Sequence, residues 1–160
     1  MILISHRGNI SSKNLSIENR FNQIKLCLFE YKISVEIDLW YINNTFYLTH
    51  DPIFDNSSKE EANNLLEFIY NNPHYHSNLF VHCKNKDAFI KMQQNNRFKF
   101  LNLFMHEDDP FTVTTTGFIW AHPKSFQERK DSIFVDINNI INKNDREILG
   151  ICTDHIERFL

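Results

Sequence analysis

The stretch from Ile33 to Ile42, "ISVEIDLWYI", carries the decision about how this chain is built. Val35, Ile37 and Leu39 alternate with Glu36, Asp38 and Trp40. A period of two puts the first three on one face of a strand and the second three on the other. Upstream, "MILISH" (1–6) reads as a short buried strand that stops at His6-Arg7-Gly8. Downstream, Asn43-Asn44 predicts a tight turn into "TFYLTHD" (45–51), and so a hairpin.

The same reading extends along the chain. Ser16 is expected to cap a helix carrying Ile17, Phe21, Ile24 and Leu28. Ser57 with Glu60, or Ser58 with Glu61, has the spacing of a capping box before Ala62, Leu65, Leu66 and Ile69. "NLFVHCK" (78–84) is expected as a strand and 87–95 as a helix. Further strands are expected in "FKFLNLFMH" (98–106), "GFIWAHP" (117–123) and "SIFVDIN" (132–138). A short helix near 139–148 would precede the last strand, "LGICTD" (149–154).

Strands alternating with helices imply βα units and a parallel sheet. Several of the strands end in polar residues: His6-Arg7, His50-Asp51, His82 to Lys84, His106-Glu107, His122 and Thr153-Asp154. In a parallel barrel the carboxyl ends of the strands form the active face. The 160 residues fall short of the ~250 usual for a full barrel. Residues 107–116 are also too few for a helix. The expected fold is therefore α/β: a reduced or irregular TIM-type (β/α) barrel with an inserted β-hairpin after the second strand, in a single domain spanning 1–160.

Composition narrows the function classes. With 42% hydrophobic residues, 15 Phe and only 3 Gly, the chain has the makings of a bulky core. A net charge of -3 gives no general attraction to nucleic acid or to an anionic membrane. No apolar run approaches the ~20 residues that span a bilayer, and no basic leader precedes the first strand, so a cytoplasmic protein is expected. Cys27, Cys83 and Cys152 are odd in number and widely spaced, which suits reduced thiols.

Three constellations carry chemistry. Glu36 and Asp38 place two carboxylates a few ångströms apart on an otherwise apolar strand, an arrangement that a hard divalent cation relieves. Alone, the pair reads more readily as a solvated strand face. His6 with Arg7 joins a proton carrier to a planar fork for phosphate oxygens. His50, if the hairpin forms, returns to the end of the sheet where His6 sits.

The order His-Arg-Gly, Glu-x-Asp, His-Asp within the first 52 residues resembles the glycerophosphodiester phosphodiesterase family, in the wider group of phosphatidylinositol-phospholipase-C-like barrels. Ile17-Glu18-Asn19-Arg20 stands where that family has Pro-Glu-Asn-Thr, and "GICTD" (150–154) is similar to the family's last strand. The resemblance implies a metal-dependent phosphodiester hydrolase acting on a small-molecule phosphodiester. It implies His6 and His50 as general acid and base, Glu36 and Asp38 as metal ligands, Arg7 on the phosphate, and Glu18 orienting the substrate.

The family's third strand reads Glu-x-Lys. Here it gives His82 and Lys84, so the Lys stays on the phosphate while the acid has become an imidazole. His82 is then either the third metal ligand or a substrate contact. The expected cofactor is Mg2+ or Ca2+, with Mn2+ or Zn2+ as the alternative that His82 opens.

The second half also looks similar to short proteins linked with surface-polysaccharide gene clusters. That would place His106, Glu107, Asp108 and Trp120 around a glycan or activated-polyol substrate. Two alternatives stand beside the hydrolase. One is a binding module that keeps phosphate affinity without turnover. The other is a phosphomonoesterase or lyase using the same parts.

Overall fold

A computed structural model describes residues 1–123, 130–144 and 147–160. Strand β1 (Ile2–His6) is followed by helix α1 (Phe21–Leu26), which widens into a π-helical turn at Cys27–Tyr31. Then come β2 (Ser34–Ile42), β3 (Thr45–Leu48) and α2 (Asn56–Asn71). Next are β4 (Leu79–Cys83), α3 (Lys86–Gln94) and β5 (Asn102–Phe104). Four strands complete the order: β6 (Phe111–Val113), β7 (Ile119–Ala121), β8 (Ile133–Val135) and β9 (Gly150–Thr153).

The strands form one sheet in the order β5-β4-β2-β1-β9-β8-β7-β6, with β3 antiparallel to the outer half of β2. All other neighbours are parallel except β6 with β7. The two ends of the sheet approach each other. Thr115 N donates to Leu103 O at 2.9 Å, Leu103 N donates to Thr115 Oγ1 at 3.1 Å, and Thr112 Oγ1 donates to Met105 O at 2.9 Å. The result is a mixed α/β fold with a nearly closed, barrel-like sheet. Its α-helices, among the described residues, all precede β5, so the expected regular alternation of strand and helix holds only for the first half.

The period-two reading of β2 explains the core. Val35, Ile37 and Leu39 face outward into a large cluster with Ile24, Leu65, Ile69 and Met92 from the three helices. The opposite face points into the sheet's concave interior, where Ile4, Phe80, Phe104, Trp120, Ile133, Val135 and Cys152 form a second cluster. Gly150 lets β9 pack closely against β1, since a Cβ there would lie 2.9 Å from Ile2 O. Leu65 is fully buried on α2. Leu65→Ala is expected to cost about 2–5 kcal/mol of stability, measured by denaturant unfolding.

Three local expectations are corrected. Ser16 does not cap a helix: its amide and hydroxyl both go to Asn14 Oδ1, and α1 starts only at Phe21. The capping box of α2 begins two residues before the first pair named above and three before the second. Asp55 accepts from Ser58 N at 2.8 Å while Ser58 Oγ takes the Asp55 amide. The expected helix near 139–148 is absent among the described residues there, and 145–146 lie outside them. The buried Asp136 carboxylate accepts the amides of Ile140 and Ile141 at 2.8 and 3.0 Å, a side-chain closure that competes with a helix.

Candidate functional site

The site is built at the carboxyl ends of β1, β2 and β4. In the sheet register His6 lies beside Glu36, and Asp38 beside His82. All four side chains belong to the concave face, so strand pairing alone gathers them. After His6 the chain turns through two left-handed residues, Arg7 (φ 54°) and Gly8 (φ 87°). A positive φ is uncommon for a residue with a side chain. Here it is held by Arg7 N on Glu36 O (3.0 Å) and by Asn19 N on Arg7 O (2.9 Å). The turn lays the guanidinium back over β2, with Arg7 Nε 2.9 Å from Asp38 Oδ2 and Nη1 donating to Glu18 Oε2 at 3.2 Å.

Asp38 is fully buried and lies at the centre of the charge network. His82 Nδ1 is 3.2 Å and Lys84 Nζ 3.6 Å from its Oδ1, while Asn19 Nδ2 donates to Oδ2 at 3.1 Å. Burial would raise its pKa, but His82, Arg7 and Lys84 outweigh burial and hold the carboxyl far below the ordinary range. Glu36 is also buried, and both burial and the neighbouring Asp38 push its carboxyl upward. Glu36 Oε2 has no hydrogen-bond partner and lies 3.9 Å from His6 Nε2. An unpartnered, buried carboxylate oxygen beside a second carboxylate is what a cation would satisfy. Ligand atoms of Glu36, Asp38 and His82 all lie within 4.8 Å of one another, so the group can hold a metal ion.

His6 is anchored from behind. Its Nδ1 is 2.8 Å from Asp154 Oδ1, and Asn9 Nδ2 donates to the same oxygen at 2.7 Å. Burial opposes the charge on His6, but Asp154 and Glu36 overcome it and raise the imidazole's pKa. His50 is half-buried, with Nδ1 2.9 Å from Asp51 Oδ1, and burial lowers its pKa.

One cavity of about 390 Å³ draws most of the predicted residues together: His6, Arg7, Glu36, His50, His82, Lys84, His106 and Trp120 all line it. Asp38 sits beneath, held by Arg7 and His82. Glu18 lies behind Arg7 and lines an adjoining cavity of about 310 Å³, with His50 shared between the two. Glu107 lines the first cavity and Asp108 does not. Trp120 stacks on Phe104 at 4.5 Å and has little exposed surface. The His82 ring is parallel to those of Phe104 (5.1 Å, 7°) and His106 (4.5 Å, 5°). Burial beside His82 drives the His106 pKa down to about 4, which keeps that imidazole neutral.

Several participants were not assigned from the sequence. Asp154 was visible only as a polar strand end, and its pairing with His6 depends on β9 lying beside β1. Asn9 gave no sequence signal, and Asn19 stood only in the Ile17-Glu18-Asn19-Arg20 element, with no role given to it. Phe104, Val135 and His122 line the cavity as the inward residues, or strand-end residues, of the second half.

The three cysteines are free and buried, with burial pushing Cys27 up to about 11 and Cys83 up to about 12. None is fit to be a nucleophile near neutral pH. Iodoacetamide at pH 8 is expected to leave the native protein unmodified and to label all three thiols in denaturant, as read by intact mass.

No helix among the described residues is long and apolar enough to cross a membrane. No family model matches the chain, and no curated protein or solved structure matches it either.

Proposed function

We propose that this chain is a metal-dependent phosphodiester hydrolase of the glycerophosphodiester phosphodiesterase type, acting through residues 1–160 as one reduced TIM-type barrel. The observation that carries the reading is the buried Glu36–Asp38–His82 group lying beneath Arg7 and Lys84, in one cavity with two separate imidazoles, His6 and His50.

Charge bookkeeping supports it. Four carboxylates, Glu18, Glu36, Asp38 and Asp154, lie among two permanent cations, Arg7 and Lys84, and the imidazoles of His6 and His82, so the acids outnumber the permanent positive charges. A dication joining such a set adds positive charge that favours an anionic phosphodiester. When bound, the dication supplies Lewis-acid stabilisation of charge on the phosphate oxygens.

The chain's own residues do the rest. Arg7 and Lys84 border the cavity and stabilise negative charge developing on the phosphate. Asp154 holds Nδ1 of His6, which leaves Nε2 directed toward Glu36 and the cavity. His6 and His50 exchange the two protons of the reaction: one takes a proton from the attacking hydroxyl or water, and the other gives one to the departing alcohol. Phe104, Trp120 and Val135 form an apolar wall on one side of the cavity.

The test is hydrolysis of a phosphodiester panel, including glycerophosphodiesters and nucleotide-linked polyols, with Mg2+, Ca2+, Mn2+ or Zn2+ and with chelator. Chelator-sensitive cleavage that disappears in Glu36→Gln is expected. A cyclic phosphate product would indicate internal attack by a substrate hydroxyl, and release of inorganic phosphate would indicate a monoesterase. The replacement of an acid by His82 favours a second reading, a binding module without turnover. Metal-dependent binding of a phosphodiester with no cleavage of any panel member would establish that one instead.

A further inference from the structure

We propose that the Glu36–Asp38–His82 group selects an imidazole-preferring first-row transition dication, such as Zn2+ or Co2+, over Mg2+ and Ca2+. The inference rests on the metal-dependent reading above and concerns which ion that site takes.

The donor set is two carboxylates and one imidazole, with its ligand atoms within 4.8 Å of one another. Mg2+ and Ca2+ are hard ions that take oxygen ligands, and Mg2+ also keeps several waters. Transition dications gain affinity from an imidazole nitrogen. The set thus offers the hard ions two oxygens and one donor they use poorly, while it offers the transition ions three good ligands.

The preference holds only if His82 stays in the site, and three features keep it there. Strand register fixes it beside Asp38, across β2 and β4. The parallel Phe104 and His106 rings, at 5.1 and 4.5 Å, restrict its side-chain rotation. Its Nδ1 already faces Asp38 Oδ1 at 3.2 Å. On the opposite side Glu36, 3% exposed, presents an oxygen with no hydrogen-bond partner. Asn19 holds the other ligand by donating to Asp38 Oδ2 at 3.1 Å. Orienting contacts of this kind typically govern metal affinity by about 10–100-fold.

Isothermal titration of the full chain with ZnCl2, CoCl2, MnCl2, MgCl2 and CaCl2 tests this without any substrate. Zn2+ and Co2+ are expected to bind at least about tenfold more tightly than Mg2+. Imidazole nitrogen NMR should show the His82 resonance moving on addition of Zn2+. In His82→Glu the Zn2+/Mg2+ ratio is expected to fall by at least about tenfold, because the set becomes all-oxygen. His82→Gln keeps the test usable if the Glu variant does not fold, and should weaken Zn2+ without strengthening Mg2+.

Equal affinities for Mg2+ and Zn2+, or Zn2+ binding that leaves the His82 resonance and the His82 variants unaffected, would overturn the inference. If Mg2+ binding is lost in Glu36→Gln yet indifferent to His82→Glu, the metal site survives and only this selectivity fails. No binding of any dication would remove both.

Discussion

His6→Ala and His50→Ala are each expected to lower kcat by about 10²–10⁴ on whichever phosphodiester the panel identifies. The two variants should differ in what else changes. His6 is almost enclosed and ties β1 to β9 through Asp154, so its removal leaves Asp154 without that partner, held on this side by Asn9 alone. His50 is half-exposed where it lines the cavity, and its side chain is paired with the neighbouring, exposed Asp51. The His50 variant should therefore melt like the wild type, while the His6 variant loses some stability as well as turnover. Steady-state kinetics with thermal unfolding of the same preparations checks both. Full activity in either variant would remove the acid/base assignment, and with it the mechanism.

The two carboxylates of β2 should also part company. Glu36→Gln keeps the shape of a side chain whose carboxyl is already pushed toward its neutral form by burial and by Asp38. That variant should fold normally, bind no dication at the wild-type affinity and show no chelator-sensitive turnover. Asp38→Asn is different. Asp38 is the common partner of Arg7, His82 and Lys84 at 2.9, 3.2 and 3.6 Å, and it is completely buried. Neutralising it strands positive charge in the interior, and removing one partner of a buried ion pair costs about 3–5 kcal/mol. Denaturant unfolding should show Asp38→Asn clearly destabilised beside a near-native Glu36→Gln. Equal stability of the two would mean that the network around Asp38 is not what holds this end of the sheet.

Much of the site could be read along the chain because it depends on strand period. Glu36 and Asp38 share a face at a spacing of two, and so do His82 and Lys84 on the next strand. Parallel neighbours then bring those faces together with no further information. The Asn43-Asn44 turn, both residues at positive φ, likewise returned His50 toward His6. Helix starts were less legible, because several polar residues compete to cap. Asp55 rather than Ser57 opens α2, and Ser16, expected to accept a helix amide, instead donates its own amide and hydroxyl to Asn14. The second half was least legible. Its strands have three or four residues each, too short for a period to show, and Asp136 replaces an expected helix by gathering two amides.

The sequence by itself determined the faces: which residues of β1, β2 and β4 look inward, and that acids, imidazoles and cations are among them. That is a local property of an extended backbone. Only the tertiary structure decided the partners. Asp154 reaches His6 across 148 positions of chain. Thr115 meets Leu103 to draw the sheet nearly closed, and the Phe104 and His106 rings hold His82 in line. Those contacts follow from strand order and from the curl of the sheet, which sum interactions over the whole chain and leave no periodic trace in any one stretch of it.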